Sequence, residues 1–240
     1  MTTNTTTNTA LPECWQQLED VLAHGVDRVI LYGPPGTGKT FAGLNLGDVS
    51  NGSYRITCTD DMTNLQVEGA FLPLGNNGEF GWCEGSALKA WKTGGRLVVD
   101  EIDKAGADVF ATLLNFLDTP ESASWEHPKT GQVYRPQSGF SAVMTTNLED
   151  MTELPEALAD RFPVRIRINQ PHPSALKRLS RDLREIAVNL ADAGAQRISL
   201  RTFMAFDGLR RGLGDERAAQ IIFAQRAEGI LEALKVNAVV

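Results

Sequence analysis

Apolar residues recur along the chain in two periods. Five short β-leaning runs stand out: Arg28-Val-Ile-Leu-Tyr32, Tyr54-Arg-Ile-Thr-Cys-Thr59, Arg96-Leu-Val-Val-Asp100, Ser141–Asn147 and Val164–Asn169. Each predicts a strand. Helical spacing between them predicts helices over Thr40–Leu46, Ser86–Trp91, Asp108–Leu117 and Pro155–Arg161, and a short helix over Leu11–Ala23 leads in. Strands alternating with helices indicate a parallel sheet in an α/β domain, with helices on both faces. The third run is apolar on both sides, as a buried central strand should be. The fifth alternates Val164, Ile166 and Ile168 with Arg165, Arg167 and Asn169, which gives it one wet face and an edge position.

Two stretches are longer than ordinary connections. Gly69–Gly85 carries Asn76-Asn77-Gly78 between apolar runs, and Ser124–Arg135 has Lys129-Thr-Gly131 at its centre, so each predicts a β-hairpin. After Asn169 the texture changes. Pro171-His-Pro173 breaks the chain, and helical spacing then predicts three helices, Ser174–Ala193, Leu200–Arg211 and Asp215–Lys235, punctuated by Gly194, Gly212 and Gly214. The expected organisation is a disordered polar tail at 1–10, an α/β nucleotide-binding domain at 11–170 and a small all-α domain at 171–240.

The connection after the first strand carries the chemistry. Gly33-Pro34-Pro35-Gly36-Thr37-Gly38-Lys39-Thr40 fits the phosphate-binding pattern G-x-x-x-x-G-K-[ST] without a mismatch. Its glycines let several backbone N–H groups turn inward on a phosphate. Lys39 can reach the β- and γ-phosphates, and Thr40 can offer its hydroxyl to Mg2+. The helix that follows, Thr40–Leu46, directs its N-terminal dipole at the anion, and Phe41 in its first turn is the further candidate to contact the nucleotide. ATP and Mg2+ are the cofactors this pattern implies.

Composition narrows the field further. The 240 residues are 42% hydrophobic and 22% charged, ordinary values for a globular protein, and the net charge of −7 argues against a surface that grips nucleic acid throughout. Cys14, Cys58 and Cys83 form no C-x-x-C pair and are odd in number, so neither a disulfide framework nor a zinc site is expected. A reducing cytoplasm is the simplest compartment, since no signal peptide or membrane-length apolar run is visible.

A phosphate cradle alone does not hydrolyse. The third strand ends in Asp100-Glu101-Ile-Asp103. Asp100 is the candidate to hold Mg2+, and Glu101 to orient and deprotonate the attacking water; Asp103 is expected to cap the following helix. The fourth strand ends in Thr145-Thr-Asn147, whose amide can hydrogen-bond the water or the γ-phosphate. In Leu154-Pro-Glu-Ala-Leu-Ala-Asp-Arg161-Phe162, Arg161 closes a short helix, and a guanidinium suits a transition state with charge spread over three oxygens.

This order of motifs resembles an AAA+ ATPase, most closely the MoxR-like group with its cobaltochelatase small-subunit, gas-vesicle and dynein-related types. The carriers are Leu154–Phe162, Leu65-Gln-Val-Glu-Gly-Ala-Phe71 and Tyr134-Arg-Pro136; the resemblance covers about residues 25–170 well and the helical region loosely. It implies a sheet order of 5-1-4-3-2, Asn147 as sensor 1, and Arg161 as an arginine finger acting on a neighbouring subunit's nucleotide. The first hairpin would be the insert within helix 2 and the second would precede sensor 1. A sensor-2 arginine would come from the helical lid, with Arg201 the candidate and Arg197 the runner-up. A homo-oligomeric ring, a hexamer, is implied, together with a protein partner or substrate, for which a von Willebrand-type domain protein is one candidate. Set against larger members of that group, no extra domain is expected beside the ATPase core beyond the polar tail, so specificity is expected from the hairpins, the lid or a partner.

Three other readings stand beside the ring motor. One is a motor or loader on nucleic acid, for which Lys92, Lys129 and Arg135 offer only sparse charge. Another is a monomeric P-loop kinase, against which the Asp100-Glu101 pair and Arg161 argue. The last is a nucleotide-dependent scaffold with little turnover.

Overall fold

The computed structural model describes residues 11–75 and 78–237. The expected polar tail and the Asn76-Asn77 pair of the first hairpin turn lie outside the described residues. In chain order the elements begin with α1 (Glu13–Ala23), β1 (Arg28–Tyr32), α2 (Lys39–Asn45) and β2 (Ser53–Thr57). A hairpin follows, β3 (Gly69–Pro73) and β4 (Phe80–Glu84), then α3 (Ser86–Thr93), β5 (Arg96–Asp100) and α4 (Ala107–Phe116). Next come β6 (Trp125–Glu126), β7 (Val133–Tyr134), β8 (Ser141–Thr145), α5 (Glu156–Arg161) and β9 (Val164–Arg167). The helices α6 (Pro173–Leu176), α7 (Arg181–Asn189), α8 (Leu200–Leu213), α9 (Asp215–Phe223) and α10 (Ala227–Asn237) complete the described chain.

The main sheet runs β2-β5-β8-β1-β9, and every neighbouring pair is parallel. Counted along the five sheet strands, this is the order 5-1-4-3-2 of a P-loop AAA fold. β5 lies between two neighbours with Leu97, Val98 and Val99 fully buried, whereas β9 sits at an edge and alternates, as their sequences require. Helix α2 packs on the centre of this sheet through Gly43. A Cβ there would stand 3.2 Å from Val98 and from Val143, so any larger residue would need those side chains to give by a few tenths of an ångström.

Both hairpins form, β3 with β4 and β6 with β7, each antiparallel. Aromatic rings join them: Trp82 of β4 stands 5.5 Å from Trp125 of β6 and 5.0 Å from His127, and Phe71 of β3 meets His127 edge-on.

The chain divides into two compact units. One holds residues 17–33 and 39–167, with the sheet and both hairpins; the other holds 11–16, 34–38 and 168–237. The helical unit is built around Leu183, Phe203, Phe206 and Phe223. Here the expected three helices are divided further. The span 174–193 is two helices, α6 and α7, and 215–235 is interrupted at Ala224, whose φ of 48° ends α9. Among the described residues no helix is long and apolar enough to cross a membrane.

Candidate functional site

In the sheet-bearing unit, the polar residues singled out in the sequence meet at the C-terminal ends of β5 and β8 and the start of α2. The Lys39 ammonium is buried and donates to the Gly33 carbonyl at 2.7 Å and to Asn147 Oδ1 at 3.0 Å. The other half of the Asn147 amide donates to Glu101 Oε1 at 3.4 Å, and Lys104 donates to Glu101 Oε2 at 2.7 Å. A relay therefore runs from Lys39 through Asn147 to Glu101, with one amide oriented by both partners.

Beside it, Thr40 donates its hydroxyl to Asp100 Oδ1 at 2.8 Å. Thr145 donates to the same oxygen, and Arg55 of β2 donates to Oδ2. Burial alone would push the Asp100 carboxyl up, but the hydrogen bonds from Thr145, Thr40 and Arg55 outweigh it and hold the group below the usual carboxylate range. Cys58, next to this cluster, goes the other way. Burial, and then the charges of Asp100, Asp103 and Glu101, push its thiol up to about 12, which leaves it protonated and poorly nucleophilic at neutral pH.

The backbone turns sharply as β5 ends. Glu101 has φ 57° and ψ 46°, in the left-handed region that a non-glycine residue seldom adopts, at a cost of about 1–3 kcal/mol. Its N–H is received by Thr145 Oγ1 at 3.3 Å. Asp103 does not cap the helix that follows; it accepts the Thr146 hydroxyl at 2.6 Å and so ties the loop after β5 to the end of β8. At the opposite end of α2, buried Arg96 donates to the carbonyls of Gly43 (3.2 Å), Leu46 and Asp48 (3.2 Å). The phosphate-loop helix is thus fastened to β5 at both ends, by Thr40–Asp100 and by Arg96.

Arg161 lies apart from this relay. At the end of α5 its Nη1 donates to Ala157 O at 2.8 Å and its Nη2 to Asp118 Oδ2 at 3.0 Å. Its Nε is buried without a partner among the described residues. Phe41 is 64% exposed on α2.

The middle of the phosphate loop, Pro34–Gly38, belongs with the helical unit. Gly33, Gly36 and Gly38 have φ of 111°, 82° and 110°, and Thr37 donates to Pro34 O at 3.1 Å. A Cβ on Gly36 would stand 2.8 Å from that of Ser199, the residue that caps α8 through Thr202 N. Position 36 therefore needs glycine for its conformation and for space. Arg197 reaches Pro35 O at 3.5 Å, while Arg201 is exposed on the first turn of α8 with no bond to the loop among the described residues.

The donor set fits the groups the pattern implies. Successive positive-φ glycines and a buried lysine suit an anionic phosphate chain. A threonine hydroxyl and one carboxylate are the hard oxygen donors that Mg2+ takes from a protein when phosphates supply the rest. No cluster of three or more His, Cys, Asp or Glu exists among the described residues to hold a metal by itself. Four participants escaped the reading of the sequence: Arg55, Thr145, Lys104 and Asp118. Thr145 stood in the quoted Thr-Thr-Asn run, but Arg55 and Asp118 act across long separations that no local pattern reveals.

Comparison with known proteins accords with this geometry. Residues 28–162, more than half of the chain, match the family described as AAA domain (dynein-related subfamily). An uncharacterized protein of Staphylococcus saprophyticus is 31% identical over 142 residues, covering 57% of this chain and 53% of its own length. An uncharacterized protein of Staphylococcus aureus strain USA300 is 30% identical over 143 residues, with the same coverage. The chain thus spans about half the length of these relatives. NtrX from Brucella abortus is similar in fold, with a TM-score of 0.56 at 17% identity over 83% of this chain and 50% of that one. Its structure in complex with ATP gives a TM-score of 0.51 at 17% identity over 81% of this chain and 45% of that one. From the matched span, and from a P-loop sheet that carries the motif residues at its strand ends, the chain belongs to the AAA domain family, dynein-related subfamily.

Proposed function

We propose that this protein hydrolyses ATP to ADP and phosphate and works as a ring motor, a hexamer, that remodels a protein or protein complex together with a partner subunit in the cytoplasm. The observation that carries the catalytic part is the Lys39–Asn147–Glu101 relay beside the Thr40–Asp100 pair. In this reading the loop Gly33–Thr40 cradles the phosphates and Lys39 neutralises them. Thr40 and Asp100 hold Mg2+, which supplies charge neutralisation at the transferring phosphoryl group. Glu101 takes the proton of the attacking water, and Asn147 keeps the carboxylate and the Lys39 ammonium in register. Phe41, exposed next to the loop, is available to the nucleotide base or ribose.

Arg161 acts in this reading on the nucleotide of a neighbouring subunit. Its place outside the relay, on the short helix α5, supports use in trans rather than in cis. The helical region at 171–240 serves as the lid. Arg201 is the sensor-2 candidate and Arg197 the rival, and the bond from Arg197 to Pro35 O supports the rival. The net charge of −7 supports a protein substrate over nucleic acid.

Glu101→Gln tests the catalytic assignment. Turnover should fall by about 10²- to 10⁴-fold, the usual weight of a general base. Affinity for ATP should persist, because the loop and the metal-binding oxygens are untouched. A parallel loss of ATP binding would contradict the assignment.

A further inference from the structure

Asp100 has more partners than a metal-holding carboxylate needs, and their distribution is uneven. Oδ1 accepts two hydroxyls, from Thr40 and Thr145, which fills the acceptor positions of one carboxylate oxygen. Oδ2 accepts Arg55 and has one position left. Metal-bound water that approaches Asp100 therefore meets Oδ2, the oxygen that Arg55 already holds.

Arg55 differs in kind from the other cation on this strand pair. Arg96 is buried and fastened by the carbonyls of Gly43 in α2 and of Asp48 just beyond it. Arg55 lies on the edge strand β2, its side chain is 46% exposed, and its guanidinium has no hydrogen-bond partner other than Asp100 among the described residues. It can share or release Oδ2 at little structural cost. Its charge also matters. Asp100, Glu101 and Asp103 are balanced locally by Lys39, Lys104 and Arg55. A cation fixed on the carboxylate repels a second cation brought to the same oxygen.

We propose that Arg55 is a positioning residue that sets how strongly Asp100 takes Mg2+, by competing with metal-bound water for Oδ2 and opposing the ion with its charge. This rests on the reading of Asp100 as the Mg2+ carboxylate. The chemistry is that of a divalent cation with oxygen ligands, and the consequence is a site that engages Mg2+ less tightly than its carboxylate alone would.

The test is the affinity of the full chain for a fluorescent ADP, with Mg2+ titrated and then with EDTA. The quantity read is the ratio of affinities with and without Mg2+. Arg55→Gln should raise that ratio about five-fold, the scale of one partly exposed charge. Arg55→Lys, which keeps the charge, should stay within about two-fold of wild type on the same scale. Both variants should unfold at the wild-type temperature, because the side chain is half in solvent. An unchanged or lower ratio in Arg55→Gln would overturn the proposal, and so would equal effects of Gln and Lys, which would mean that shape rather than charge is at work. Asp100→Asn separates the two levels. If it leaves the Mg2+ enhancement intact, or if the wild type shows none, the reading of Asp100 itself falls.

Discussion

Two buried aspartates, one in each unit, invite comparison. Asp100 is 5% exposed and Asp207 is 2% exposed. Both accept hydroxyl and arginine donors, and both are held below the usual carboxylate range. Asp207 accepts Ser180 Oγ at 2.7 Å, Ser180 N at 3.0 Å and Arg210 Nε at 3.0 Å. Arg210 in turn grips Asp182 with two bonds of 2.7 and 2.8 Å. Here the central arginine is tied on both sides and its side chain is only 12% exposed, while the exposed Arg211 adds a longer contact of 3.5 Å to Asp207 Oδ2. Asp100 instead faces a half-exposed arginine, a strained Glu101 and the relay that ends at Lys39. A buried, ionised carboxylate is therefore not by itself a mark of function. What separates the two is whether the partners can be exchanged for a ligand.

The largest effects should break this symmetry cleanly. If Asp100 holds Mg2+ as proposed, Asp100→Asn should reduce ATP turnover by about 10³-fold, while thermal unfolding moves less than in the Asp207 variant. Asp207→Ala should do the reverse. It leaves the Ser180 N–H and hydroxyl without their acceptor and Arg210 with Asp182 as its remaining close partner, and should cost about 3 kcal/mol of stability in the helical unit. Calorimetry and a phosphate-release assay on the same two variants decide between them; equal stability losses would remove the distinction.

Acid should sharpen the comparison by a smaller margin. For Asp182 the Arg210 hydrogen bonds are the main cause of its lowered value; for Asp207, burial pushes up but Ser180 and Arg210 prevail. Native values below the unfolded ones mean that these groups contribute stability above the unfolded carboxylate range, and that it is lost as pH falls through the lower native values. The helical unit of the wild type should weaken progressively below about pH 4, and Asp207→Asn should flatten that slope. A slope unchanged in the variant would place the acid sensitivity elsewhere. The smallest effect expected is that of Thr145→Val. It removes one of two hydroxyls from Oδ1 and the acceptor of the Glu101 N–H, and should cost about 1 kcal/mol of stability in the sheet-bearing unit, read by thermal unfolding.

The same contrast marks what the sequence could disclose. The strands were legible because each is a compact apolar run, and β5 and β9 declared their central and edge positions through continuous and alternating burial. That the end of the phosphate loop, Asp100, Glu101 and Asn147 come together was legible because each lies in a recognisable run at or just after a strand end. The helical unit was less so. Ser174–Ala193 reads as one helix, yet α7 starts afresh at Arg181 because the N–H of Ser180 is taken by Asp207, a residue 27 positions on. Ala224 interrupts the later helix although alanine favours helices, so packing rather than propensity decides there. Arg55 and Asp118 were silent for a related reason. Their roles come from partners 45 and 43 residues away, brought near only by the folded sheet and the turn after α4.

The most direct test of the proposed ring motor is ATP turnover per chain measured across a wide range of protein concentration, with Arg161→Ala run alongside and assembly followed by sizing. A steep rise with concentration in the wild type is expected, together with a loss of about 10³-fold in Arg161→Ala at concentrations where it still assembles. A flat, substantial rate from chains that size as monomers would contradict a site completed between subunits, and with it the assignment of Arg161.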